Sequence, residues 1–154
     1  MSQQNEQFDE IFDVLVVGSG CGGLTAALTA DIAAPAKVLV IEKSHLIGGT
    51  SATSGGVIWI PDNHLGKEKG AEDSIAEAKQ YLQATIPEDE FNEPLIDTYL
   101  DQGPKMVKFM EDNTDARYTS LEHYPDYFQD APGVKLGNRA LEPLPVSADT
   151  LDDD

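Results

Sequence analysis

The chain has 154 residues, with 10 basic and 28 acidic side chains and a formal net charge of −18 at pH 7. This length allows one compact core, and so negative a field repels nucleic-acid phosphates and anionic lipid surfaces, which excludes both as partners. The apolar runs are only strand-sized and the start, MSQQNEQFDE, is polar, so we expect a cytoplasmic protein without a membrane span. The chain has one cysteine and three scattered histidines, which predicts neither a disulfide nor a metal site.

The first predicted elements are a strand, a glycine-rich turn, a helix and a second strand. Residues 1–11 form a polar tail, and Phe12–Val17 is apolar without alternation, which is typical of a strand covered on both faces. The segment LTAALTADIAA contains good helix formers and no helix breaker before Pro35. A second buried strand follows over Lys37–Glu42. This order predicts a parallel βαβ unit and therefore an α/β, Rossmann-like fold.

The remainder of the chain predicts one long loop followed by helices. The stretch SHLIGGTSATSGGVIWIPDN is too rich in Gly, Ser and Thr for a helix, and it ends in a short extended piece, VIWI. Helical periodicity runs from Asp73 to about Thr85. Two further helices are expected, one after Pro87 and one after Gly103-Pro104. The pattern then weakens toward an acidic end.

Gly18, Gly20 and Gly23 form the pattern G-x-G-x-x-G between the first strand and the helix. In this pattern the first glycine permits a tight turn, the second lets a pyrophosphate approach the backbone, and the third allows close packing of helix on strand. Glu42 follows Gly23 by 19 positions, close to the spacing of about 20 at which a carboxylate binds a ribose 2′-OH. The sequence therefore predicts a dinucleotide site rather than a purely structural turn, and the carboxylate favours NAD or FAD over NADP.

The loop after the second strand favours FAD over NAD. It offers further backbone N–H groups and hydroxyls along a long cofactor, although a flexible linker is the alternative interpretation. The predicted cofactor-binding residues are Gly18, Ser19, Gly20, Cys21, Gly22, Gly23, Glu42, Lys43, Gly48, Gly49, Thr50, Ser51, Ser54, Gly55 and Gly56.

Three stretches of the chain resemble the N-terminal part of the FAD-dependent oxidoreductases of the fumarate reductase and 3-ketosteroid dehydrogenase type. They are DVLVVGSGCGGLTAALTA, VLVIEKSHLIGGTSATSGG and VIWIPDN. The resemblance is most specific to the 3-ketosteroid Δ1-dehydrogenases. Ser54–Pro61 matches their S-G-G-x-x-W-x-P pattern, Pro125–Tyr127 matches their PDY segment, and NRALEPLP is similar to a later stretch. The resemblance implies FAD as the cofactor and a small molecule, a 3-ketosteroid, as the substrate.

The resemblance also implies a reaction and a site residue. In that family a C1–C2 double bond is introduced when a tyrosine base takes a proton and the flavin takes a hydride. Tyr127 matches an active-site tyrosine that assists the base, and the alternative is an amphipathic tyrosine that caps a core. Gly49 stands where covalent flavoproteins of the family carry a histidine, which implies non-covalent FAD.

Family members are much longer, so the chain is expected to be an incomplete portion of a two-domain flavoenzyme, with residues 12–154 as the N-terminal part of the FAD-binding domain. Two alternatives remain. One is a fumarate reductase-like enzyme for a dicarboxylate, a chemistry that needs arginines to bind carboxylates; the chain offers only Arg117 and Arg139. The other is a non-catalytic nucleotide-binding fragment.

Overall fold

The computed structural model describes residues 10–147, which form two compact units. The first unit ends at Gly55 and the second begins at Gly56. Most of the predicted polar tail over 1–11 and the acidic end after Ser147 lie outside the described residues.

The first unit is the predicted βαβ arrangement. Strand β1 spans Val14–Val17, helix α1 spans Cys21–Ala33, and strand β2 spans Val38–Ile41. The two strands pair in parallel, with Val14 opposite Val38 and Val17 opposite Ile41. The predicted order is confirmed, with shifted bounds: β1 begins two residues after Phe12, α1 begins three residues before LTAALTADIAA, and β2 is shorter by one residue at each end. The loop predicted without helix contains a 3-10 turn over Gly49–Thr53.

Three helices of the second unit begin at polar capping residues. Helix α2 spans His64–Glu68, α3 spans Ile75–Thr85 and α4 spans Glu93–Asn113. The residue before each helix, Asn63, Ser74 or Asn92, accepts a hydrogen bond from a backbone N–H of the first turn. Such caps satisfy N–H groups that the helix itself leaves unpaired. The five-residue α2 was not predicted, because a piece so short shows no periodicity.

The prediction of two helices separated at Gly103-Pro104 was wrong, because α4 continues through both residues. Gly103 is buried, and a Cβ there would lie 3.3 Å from Cδ1 of Ile60. Pro104 lacks an N–H and costs the helix one hydrogen bond. On either side of the pair, Leu100 and Val107 are fully buried, so tertiary packing outweighs the local helix-breaking signal.

A three-stranded antiparallel sheet completes the second unit. Its strands are β3 (Ile58–Trp59), β4 (Tyr118–Ser120) and β5 (Ala140–Pro143), in the order β3-β5-β4. The predicted VIWI strand is therefore confirmed in its central residues. Ile60, Val107 and Leu141 form a buried core, against which Ile58, Leu65, Met106 and Tyr118 pack.

Candidate functional site

The glycine turn of the first unit has the shape that the pattern G-x-G-x-x-G predicts. Gly18 adopts φ +96°, a left-handed conformation that side chains disfavour. A Cβ on Gly23 would lie 2.1 Å from the carbonyl oxygen of Gly18, so α1 approaches the turn too closely for any side chain there. The predicted turn at Gly18 and packing at Gly23 are confirmed.

The N-terminus of α1 presents backbone N–H groups that the helix cannot pair itself. Its capping residue, Gly20, supplies no side chain, and the N–H of Cys21 donates to Oγ of Ser51 at 3.1 Å. Space is open beside Gly22, where an added Cβ would meet nothing within 4 Å. A phosphate group is favoured here because it can accept hydrogen bonds from the first-turn N–H groups, is attracted by the positive end of the helix and has open space to enter. The residues present therefore fit the pyrophosphate of a dinucleotide.

Glu42 lies directly after β2 and is held as a carboxylate by backbone and hydroxyl donors. Ser19 donates to its Oε2 from the hydroxyl at 2.6 Å and from the backbone N–H at 2.9 Å, and Ser44 N–H donates to Oε1 at 2.9 Å. These bonds, that of the Ser19 hydroxyl above all, lower the pKa of Glu42 to about 2. Glu42 is therefore an ionised acceptor at neutral pH, as ribose recognition requires.

Ser19 joins the two glycine loops. Its side chain is 1% exposed, and its Oγ also accepts a hydrogen bond from Gly48 N–H at 2.9 Å. Gly49 also lies close to the first turn, because a Cβ added to it would lie 3.6 Å from Cα of Gly20. The structure thus brings the first turn, Glu42 and the start of the second loop together. The other predicted loop residues, Lys43, Thr50, Ser54 and Gly55, are exposed, and Gly56 begins the second unit.

The second unit contains an aromatic cavity of about 320 Å³. Tyr127 is 82% exposed at this cavity, and a hydrogen bond with Tyr127 raises the pKa of the neighbouring Tyr124 phenol. The lining residues are Val57, Trp59, Tyr81, Leu82, Thr85, Tyr124, Pro125, Asp126, Tyr127, Phe128 and Ala140. Such a wall, apolar with a few phenol groups, suits an apolar ligand that carries an oxygen.

A larger groove in the same unit is less informative. It measures about 610 Å³ and contains three lysines, each of which is ion-paired to an aspartate. The pairs are Lys67–Asp62, Lys105–Asp101 and Lys108–Asp112. Because these charges cancel in pairs, the groove favours no class of charged ligand.

Arg139 forms a buried cluster with Asp73 and Asp126, which the sequence pattern did not reveal. Its side chain is 1% exposed and donates to both oxygens of Asp73 and to Oδ2 of Asp126. Burial opposes ionisation of Asp73, but the bonds from Arg139 lower its pKa below the ordinary value. The partners lie 66 and 13 positions away in the chain, so only the fold brings them together.

Residues 10–147 contain neither a cluster of metal ligands nor a membrane-spanning helix. No three of the histidine, cysteine, aspartate and glutamate side chains in this range are grouped as metal ligands. None of the helices in the same range combines the length and apolar character needed to cross a bilayer.

Comparison with known proteins identifies a family and several relatives. The family described as FAD binding domain matches residues 13–142. The chain is 43% identical over 143 residues to a 4-oxocyclohexanecarboxylate 2-dehydrogenase of Sinomonas cyclohexanicum, covering 92% of this chain and 25% of that protein. It is 42% identical over 143 residues to a 3-oxosteroid 1-dehydrogenase of Mycolicibacterium smegmatis, and this match covers 93% of this chain and 25% of that protein.

The fold is also similar to that of a dehydrogenase of known structure. The crystal structure of 3-ketosteroid Δ1-dehydrogenase from Sterolibacterium denitrificans, in complex with 1,4-androstadiene-3,17-dione, matches with a TM-score of 0.79 and 42% identity. The match covers 86% of this chain and 23% of that one. The chain therefore spans about a quarter of the length of the relatives it matches.

Proposed function

Because the chain belongs to the family of FAD-binding domains, we propose that the protein acts as a flavin-dependent dehydrogenase that introduces a C1–C2 double bond into 3-ketosteroids. The observation that carries the proposal is the aromatic cavity with the exposed phenol of Tyr127. FAD, held non-covalently, would supply the hydride acceptor for such a dehydrogenation.

In this proposal the first unit binds the ADP part of FAD. The N–H groups at the start of α1 face the pyrophosphate, Gly20 allows it to approach the backbone, and Glu42 accepts the ribose hydroxyl. Ser51 serves two purposes, because its hydroxyl pairs with Cys21 N–H and retains its own proton for donation. The remaining predicted residues of the second loop extend the contact along the cofactor.

The second unit contributes a wall of the substrate site. A steroid is a large apolar molecule with a carbonyl at one end, and the cavity offers aromatic surface with three phenols. A hydrogen next to a carbonyl is acidic because the enolate formed is delocalised, so a positioned phenol assists its removal as a proton. We assign this assisting role to Tyr127, because its exposed side chain is accessible to a ligand.

Two observations favour a steroid over substrates that carry carboxylates. Asp126 is the sole charged side chain among the described residues that line the cavity, and it is already paired with Arg139, so this lining offers no cation for a carboxylate such as that of 4-oxocyclohexanecarboxylate. The chain's two arginines are engaged elsewhere: Arg139 with two aspartates, and Arg117 with the backbone carbonyls of Thr114 and Ala116. Neither fits the role of a dicarboxylate clamp.

Turnover by the full-length protein tests the proposal. We expect reduction of a dye in the presence of a 3-ketosteroid, at a kcat/KM at least about a hundredfold above that for 4-oxocyclohexanecarboxylate or fumarate. Tyr127→Phe should lower kcat by about tenfold or more while thermal stability and FAD content stay unchanged, because the side chain is exposed. Equal turnover of steroid and carboxylate substrates, or an unaffected Tyr127→Phe variant, would contradict it.

A further inference from the structure

The segment that carries Tyr127 is held on both sides of that residue. Before it, Asp126 exchanges two hydrogen bonds with Lys135: its N–H donates to the Lys135 carbonyl at 2.9 Å, and its Oδ2 accepts Lys135 N–H at 2.9 Å. After it, Phe128 N–H donates to the phenol oxygen of Tyr81 at 3.1 Å. Because Tyr127 itself is 82% exposed, the place of its phenol depends on the positions of its two neighbours and on its hydrogen bond with Tyr124.

Arg139 connects this segment to the rest of the unit. Its Nη1 donates to Oδ2 of Asp126 at 2.8 Å, while Nε and Nη2 donate to the two oxygens of Asp73 at 2.9 and 2.7 Å. A planar guanidinium with several donors fixes the direction of each carboxylate as well as its distance. The same Asp126 carboxylate also holds Trp59, whose indole N–H donates to Oδ1 of Asp126 at 2.6 Å.

The same guanidinium lies beside two aromatic rings of the cavity. Its central carbon is 5.5 Å from the ring centre of Trp59 and 5.9 Å from that of Tyr81, within the range of cation–π attraction. Both rings line the cavity at which Tyr127 lies. One buried cation therefore contacts the aromatic wall and the anchor of the Tyr127 segment at the same time.

We propose that Arg139 is a positioning residue that acts through Asp126 to set the place of the Tyr127 phenol in the aromatic cavity. The inference rests on the proposed function, in which Tyr127 assists proton transfer. A lysine at position 139 keeps the charge that two buried aspartates need, but it lacks the planar fork that spans them. The fold should then persist while residues 126–128 become loosely held.

A double-mutant cycle on the full-length protein separates positioning from general destabilisation. We expect Arg139→Lys to lower kcat for a 3-ketosteroid by about tenfold, with KM and FAD content within about twofold of wild type. If Arg139 acts through Tyr127, adding Arg139→Lys to Tyr127→Phe should cost no further kcat. Arg117→Lys is the matched control, because Arg117 is exposed, and it should leave kcat unchanged. Fully additive losses would overturn the inference.

Hydrogen exchange gives a second readout that needs no activity. The amides of Asp126, Phe128 and Lys135 should exchange at least about tenfold faster in Arg139→Lys, while the buried amides of α4 keep their wild-type rates. Asp126→Asn, which keeps the side-chain shape, should have the same local effect if Arg139→Lys does not fold. Unchanged exchange at these amides would overturn the inference. An inactive wild-type protein would overturn the proposed function alone, since the exchange result still decides whether Arg139 holds the segment.

Discussion

The first unit leaves much of its apolar strand surface exposed, whereas the second encloses a core of fully buried side chains. Leu15 and Val17 on β1 are 59% and 76% exposed, while Leu100 and Leu141 in the second unit are 0% exposed. The first unit is joined across its loops by the hydrogen bonds of Ser19, in the region assigned to the cofactor. Substitutions there should therefore alter stability and nucleotide binding together, whereas core substitutions in the second unit should act on stability.

The largest effect is expected from a matched pair of leucine substitutions, one in each unit. Leu100→Ala removes fully buried methyl groups and leaves a cavity, so it should lower the free energy of unfolding by about 2–5 kcal/mol. Leu15→Ala removes a largely exposed side chain and should cost less than about 1 kcal/mol. Denaturation followed by far-UV circular dichroism, to which the helices of both units contribute, measures both. Similar decreases in the free energy of unfolding for the two variants would contradict the difference in side-chain burial between the two units.

The next largest effect concerns two neighbouring glycines of the first unit. Gly23→Ala would place a Cβ 2.1 Å from the Gly18 carbonyl, so it should cost about 1–3 kcal/mol and weaken ADP binding at least about tenfold. Gly22→Ala has open space and should retain the wild-type melting temperature. Circular dichroism and calorimetric titration with ADP provide the measurements. Equal melting temperatures of the two variants would show that the turn does not depend on this close approach.

The elements that the sequence predicted well are those set by neighbouring residues. The apolar strands, the alanine-rich helix and the three spaced glycines each carry a local signal, and the fold of the first unit followed from them. The strand pairing over Val14–Val17 confirms the order, although the covering of both faces expected for the first strand is not observed at Leu15.

The features that the sequence did not predict depend on contacts between distant residues. Gly103 and Pro104 carry a helix-breaking signal, but packing of Gly103 against Ile60 keeps α4 continuous. Arg139 was considered only as a carboxylate clamp for substrate, because nothing in its neighbourhood points to Asp73, 66 positions earlier. Glu42 was singled out as a candidate ribose ligand by its spacing, yet its partner Ser19 became evident only from the hydrogen bonds.

A smaller effect is expected where the second loop meets α1. Ser51→Ala removes the acceptor of Cys21 N–H, which should cost about 1 kcal/mol and weaken ADP binding about threefold. Thr29→Ala, which removes a hydroxyl bonded to Thr25 elsewhere on the same helix, is the control and should leave ADP affinity unchanged. Equal affinities of the Ser51→Ala and wild-type proteins would argue against a role of this loop in holding the nucleotide.

The smallest effect is a pH dependence at Glu42. Because its folded pKa is depressed to about 2 from the ordinary 4.5, its contribution to stability is fully present above 4.5 and is lost as the pH falls through about 2. The carboxyl NMR signal of Glu42 should titrate near the lower value. Ser19→Ala should move the titration part of the way toward 4.5, since the backbone N–H bond persists. Titration of the wild-type carboxyl at its ordinary pKa would contradict the hydrogen-bonded arrangement.

Ketosteroid dehydrogenation by this protein can be tested by anaerobic titration of the purified, flavin-loaded full-length protein with a 3-ketosteroid that is saturated between C1 and C2. We expect the oxidised flavin absorbance to disappear in proportion to the steroid added, and an equal amount of the 1,2-dehydrogenated ketone to form. A protein that takes up no FAD, or whose flavin stays oxidised in excess ketosteroid, would contradict it.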